Sequence, residues 1–155
     1  DAAAMAAAAP RLLGEYTLRP CYEDGSFAWL LEQVAEKRQF GALQGALVHT
    51  ASAIAGWFLY CLQGGHGHVV QVVARSTDRP LIVAHLLEHA RQRGAHTLTG
   101  RLAPDFLPTL AAQQCRLRRD APWVLVDAAR PEVLHAIAEG GAFLSRLDAE
   151  WWLSF

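Results

Sequence analysis

The stretch from Gly67 to Gly100, GHVVQVVARSTDRPLIVAHLLEHARQRGAHTLTG, constrains the fold more than any other part of the chain. Val69, Val70, Val72 and Val73 make an extended run apolar on both faces, which predicts a central strand covered on two sides. Ser76-Thr77-Asp78 follows as a polar turn with N-cap candidates, and Pro80 suits a first helical turn. Ile82, Val83, Leu86, Leu87 and Ala90 then recur at helical spacing, with His85, Glu88, His89 and Gln92 on the other face, until Gly94 closes the helix. The segment 96–102 reads as a second strand. Such a unit puts the polar turn where many α/β proteins hold a phosphate, but this turn lacks the glycines that would admit one.

The rest of the chain can be placed around that unit. Residues 1–13 are alanine-rich and read as a linker, a disordered start or a fraying helix, and residues 14–155 as a single domain with an apolar C-terminal tail. EYTLR (15–19) alternates as a first strand ended by Pro20. Asp24 or Ser26 caps a helix over 27–38 carrying Phe27, Leu30, Leu31 and Val34, with Gly41 at its end. Strands over 43–50 and 53–62 form a hairpin through Ala51-Ser52, and the Gly64-Gly65 turn leads to a third meander strand over 68–75. After residue 102, a helix opens at Pro104 and ends in Arg116-Leu117-Arg118-Arg119. PWVLVD (122–127) is a strand, 131–139 a short helix broken by Gly140-Gly141, and the tail to Phe155 docks as a last strand or apron.

Composition bounds the function. With 155 residues, 52% apolar and 19% charged, the chain can bury a real core. A net charge of −1 gives no case for nucleic acid or an anionic membrane surface, and no apolar run reaches the length of a membrane span. Cys21, Cys61 and Cys115 are odd in number and widely spaced, which reads as buried thiols in a reducing, cytoplasmic setting rather than a disulfide framework or zinc finger.

The order of strand, helix, three-strand meander, helix, strand, helix, strand resembles the GCN5-related N-acetyltransferase (GNAT) superfamily over residues 15–127. IAGWFLYCL (54–62) looks like the family's third strand. VVQVVAR with HLLEHARQRGAHTL looks like the strand–helix unit that holds acetyl-CoA, with Leu86-Leu87 as its paired leucines. The resemblance implies an α/β fold with a mixed, mostly antiparallel central sheet and helices on both faces. It also implies acyl-CoA-dependent transfer to a small-molecule or peptide amine, with acetyl-CoA or another acyl-CoA as donor.

By the same resemblance the thioester lies along Gln71, Val73 and Arg75, and the phosphates near Ser76, Thr77, Arg79 and Leu81. The family motif Gln/Arg-x-x-Gly-x-Gly/Ala is degenerate here. One register puts Asp78, Leu81 and Val83 at the motif positions, the other puts Asp78 and Pro80 at the glycines. The family's glutamate base and tyrosine acid have no counterparts, which leaves His68 as the candidate base. These departures raise a second reading, a non-catalytic GNAT-like domain for dimerisation, packing or ligand sensing. Its partner would be a second copy or an upstream lobe of the same protein, with Trp151-Trp152 as candidate contacts.

Other motifs carry less. His85-Leu86-Leu87-Glu88-His89 matches the zinc pattern H-x-x-E-H, with Glu139 or Glu150 as distant third ligands, but the buried stripe turns this face to solvent. Gly64-Gly65-His66-Gly67-His68 is explained by a tight turn. Arg116, Arg118 and Arg119 could meet the 3′-phosphate of coenzyme A or compensate a helix C-terminus.

Overall fold

A computed structural model of the chain describes residues 1–23, 25–118 and 126–148. The alanine-rich start is not a linker: Ala2–Leu12 forms helix α1. Asp1 caps it, accepting from the Ala3 and Ala4 amides at 3.0 and 3.3 Å. Met5, Ala8, Ala9 and Leu12 recur on one face and are buried in the core. Alanine there is both a strong helix former and small enough to bring the helix close to its neighbours.

The strand expected over 15–19 does not form. Leu18 makes an isolated parallel bridge to Ala142. The Thr17 and Leu18 amides donate to the Gly141 carbonyl at 2.8 and 3.1 Å, and the Phe143 amide donates to Leu18. Pro20 stops further pairing. Helix α2 covers Ser26–Glu36 and buries Phe27 and Val34. Gly25, at φ +79°, occupies its N-cap position, so Ser26 is inside the helix rather than its cap, and Asp24 lies outside the described residues. A 3-10 turn at Arg38–Phe40 separates α2 from Gly41.

The sheet contains β1 (Ala42–His49), β2 (Ile54–Gln63), β3 (His66–Ala74) and β4 (Thr97–Thr99) in the order β1-β2-β3-β4. The first three strands form the expected antiparallel meander, and β4 runs parallel to β3. Gly64 and Gly65, at φ +55° and +81°, make the two-residue loop between Gln63 and His66. This is the left-handed geometry that matches strand twist. The strand buried most completely on both faces is β2, next to the valine-rich β3.

On one face Trp57, Leu59, Cys61, Val70 and Val73 pack with α1 and α2. On the other, Phe58 and Tyr60 pack with Ile82, Val83, Leu86 and Ala90 of helix α3 (Arg79–Gln92). The Leu59/Tyr60 pairing shifts by one residue, so that Val70 bulges and joins Gln71 and Val73 on the α1/α2 side.

The second strand of the organising unit is only three residues long. It pairs with His66–His68, and beyond Thr99 the two strands separate. The helix expected to run from Pro104 into the arginines is shorter: a 3-10 turn at Pro104–Phe106, then α4 (Leu107–Ala112), with Gln114 at φ +55° turning the chain away before Arg116. Helix α5 is Pro131–Ala138, followed by Gly140 at φ +74°. Most of the strand expected at 122–127, and the tail from 149, lie outside the described residues.

Candidate functional site

Two places answer to the sequence-predicted donor site: the turn before α3 and the open side of β3. At the turn, Ser76–Asp78 is a 3-10 segment, and neither it nor α3 receives a side-chain cap. Glu15 meets one of these amides, that of Ser76. The Glu15 carboxylate accepts from the Ser76 amide at 3.4 Å and pairs with the Arg79 guanidinium. Arg79 also pairs with Asp105 at 2.7 Å, donates to the Asp105 carbonyl at 3.3 Å, and lies over the Phe106 ring at 5.3 Å. The Tyr16 hydroxyl donates to Asp105, and burial, then that carboxylate, drives the phenol's pKa well above its usual value.

A protein carboxylate therefore stands beside the Ser76 amide and the Arg79 guanidinium at the turn before α3. Pro80 removes one amide there, and Leu81 is exposed at the first turn. Arg75, Ser76 and Thr77 are exposed, and Arg75 and Ser76 line a cleft of about 310 Å³ with Arg11, Leu12, Gly14 and Glu15. Arg79 is the hub of the cluster, with a side chain only 12% exposed against 34% and 26% for its two carboxylates. Arg79→Met should lower stability by about 2 kcal/mol, less than for a fully dry pair because both acids reach solvent. Urea denaturation measures it, and an unchanged midpoint would show that the cluster is ornamental.

Along β3, Val73 is fully buried and Gln71 is 1% exposed. Gln71 is turned into the α1/α2 layer. Its Oε1 accepts from Trp57 Nε1 at 2.7 Å, and its Nε2 lies 2.8 Å from the Tyr22 hydroxyl, 3.2 Å from Ser145 Oγ and 3.1 Å from Asp148 Oδ2. Tyr22 and Ser145 both donate to Asp148. Burial raises the Asp148 carboxyl pKa, and the hydrogen bonds it accepts oppose that shift. The segment 141–148 bridges the diverging strands. The Arg146 amide donates to the Val70 carbonyl at 3.1 Å, and the Arg101 guanidinium reaches the Leu144 carbonyl at 3.5 Å.

His68 sits toward the other end of β3, six residues and about 20 Å at strand rise from Ala74, which precedes the turn. Its Nδ1 is 3.3 Å from Thr99 Oγ1, and its ring meets Phe40 edge-on. Burial, with the Arg146 and His66 charges, lowers its pKa. The candidate base and the candidate phosphate residues are thus not brought together.

Two of the three H-x-x-E-H side chains, Glu88 and His89, are engaged by protein groups. Glu88 is held by Arg91 at 2.8 Å and Gln92 at 2.7 Å, which brings its pKa down to about 2, and His89 Nδ1 lies 2.9 Å from the Tyr60 hydroxyl. Among the described residues no group of three or more His, Cys, Asp or Glu is placed to hold a metal ion. Arg116 and Arg118 are exposed beyond α4, and Arg119, Glu150, Trp151 and Trp152 lie outside the described residues. Sequence reasoning missed Glu15, Tyr16, Asp105, Tyr22 and Trp57. Only Gln71, a polar residue inside VVQVV, carried a local signal.

No family model matches the chain, and no curated protein matches it. Its fold does match solved structures. A Trypanosoma brucei acetyltransferase superposes with a TM-score of 0.55 at 18% identity, over 81% of this chain and 95% of that one. A point mutant of a Thermus thermophilus protein gives 0.51 at 16% identity over the same shares. The likeness is one of fold: a mixed α/β, GNAT-like architecture with a mostly antiparallel sheet between helices. Among the described residues no helix is long and apolar enough to cross a membrane.

Proposed function

We propose that this chain is a non-catalytic domain on an acyltransferase-type scaffold, serving dimerisation, packing or ligand sensing. The observation that carries this reading is the Glu15 carboxylate on the Ser76 amide and the Arg79 guanidinium. A pyrophosphate approaching α3 would meet a like charge, a proline without an amide and the Leu81 side chain. The residues there do not fit the phosphates of an acyl-CoA. Along β3 the side chain of Gln71 is spent on Trp57, Tyr22, Ser145 and Asp148, and the Val70 carbonyl on the Arg146 amide. A cytoplasmic location goes with this reading, since Cys21, Cys61 and Cys115 are all free thiols.

Titration calorimetry with acetyl-CoA and with free coenzyme A tests it. The expected result is no saturable heat up to millimolar ligand. A dissociation constant in the micromolar range, lost in Arg75→Ala, would overturn it.

The second reading is an acyl-CoA-dependent N-acyltransferase acting on a small-molecule or peptide amine, with an upstream lobe completing the donor site. It is favoured by the separation of β3 from β4 beyond Thr99 and by the likeness to an acetyltransferase. The same titration, repeated on the longer protein if one exists, decides between the two.

A further inference from the structure

We propose that β1 is a dimerisation edge, pairing antiparallel with β1 of a second copy to join the two sheets. The proposal rests on the non-catalytic reading and names its partner. In the order β1-β2-β3-β4 the strand Ala42–His49 is terminal, and it pairs only with β2 among the described residues. The segment 15–19, which reads as a strand, is drawn to Gly141 and Phe143 instead and does not cover it. About half of the backbone amides and carbonyls of an eight-residue edge strand point outward.

Natural sheets guard such an edge with lysine, proline or a central bulge. ALQGALVH has no charged residue and no proline, and its single irregularity lies at the Val48/His49 end. Those features suit a partner strand that is equally uncharged. A two-fold axis perpendicular to the sheet beside Ala46 would set Ala46 against its own copy, Gly45 against Leu47 and Gln44 against Val48, with no charged side chain of the strand opposed to another. A two-strand seam alone buries less than the ~1,000 Å² of a lasting interface. Beside β1 an open cleft of about 400 Å³ adds surface, floored by Ala46, Val48 and Phe58 and flanked by His85, Glu88 and His89 of α3, the Glu88 carboxylate being paired with Arg91. That floor is partly apolar, and a second copy docked on the edge would shield it.

Sedimentation equilibrium over a range of concentrations should give twice the chain mass. Ala46→Lys would place two ammonium groups on the same face directly across the axis, and Ala46→Glu two carboxylates. Each variant should be monomeric while keeping the parent's circular dichroism, with a urea midpoint that no longer depends on protein concentration. Mixing the two should restore a dimer that contains one of each, a result that mere loss of folding cannot produce. A parent that stays monomeric at every concentration overturns the proposal, as does an Ala46→Lys variant that remains dimeric. Either failure leaves the calorimetric test of acyl-CoA binding untouched, so the two readings can fall separately.

Discussion

Replacing Gln71 with leucine is expected to lower the unfolding free energy by about 3 kcal/mol. The side chain is 1% exposed and is the shared partner of four groups. Leucine fills a similar volume but leaves the Trp57 indole N–H without an acceptor and removes a donor from Asp148. An unsatisfied buried donor costs more than the net worth of the bond it made, and a carboxylate that loses a donor inside the protein adds to that. Urea denaturation of the parent and variant reads the difference. A loss below 1 kcal/mol would mean that water enters and replaces the amide.

The same network carries a pH dependence. Burial raises the folded-state pKa of Asp148 above that of the unfolded chain, so the folded protein holds this proton to higher pH. Stability contributed by the protonated form is therefore lost as pH rises from the unfolded carboxyl range through the raised folded value. Asp148→Asn should flatten that slope, because asparagine has nothing to ionise.

Gly56→Ala is the second large effect, with an expected loss of roughly 3 kcal/mol. A methyl there would fall well inside van der Waals distance of the Val73 carbonyl oxygen, with two Ile82 carbons at 3.0 Å behind it. Gly56 lies in β2 between two paired strands and under α3, so neither neighbour can yield without disturbing the ladder. Gly45 offers the comparison. Its methyl would meet Leu59 Cδ2 and the Phe58 carbonyl at 2.6 Å, but in the monomer β1 is terminal and can shift outward. Gly45→Ala should cost about 1 kcal/mol. A Gly45 loss as large as that at Gly56 would show that β1 is held as firmly as the centre of the sheet.

Much of the scaffold was legible from local pattern. The meander, the Gly-Gly turn, the α3 stripe of Ile82, Val83, Leu86 and Ala90, and the helix after Pro131 all depend on side-chain period and turn chemistry. For α1 a fraying helix was among the readings, but its packing into the core was missed because alanine counts for little on a hydrophobicity pattern and its burial depends on a sheet far along the chain. The segment 15–19 failed as a strand for a similar reason: its alternation was real, but Gly141 and Phe143 claimed its backbone.

The candidate site was legible only in outline. From residue types alone the turn at Ser76–Leu81 already lacked the glycines a phosphate needs, because that requirement is steric and local. Which group meets those amides instead was settled by tertiary contact. Glu15, Arg79 and Asp105 are separated by 64 and 26 residues along the chain. No spacing rule links them, since long-range pairing is set by how layers stack. Gln71 makes the same point from inside β3: the sequence marks it as a polar interruption of a valine run, and the fold alone determines that it faces Trp57 and Asp148 rather than a ligand.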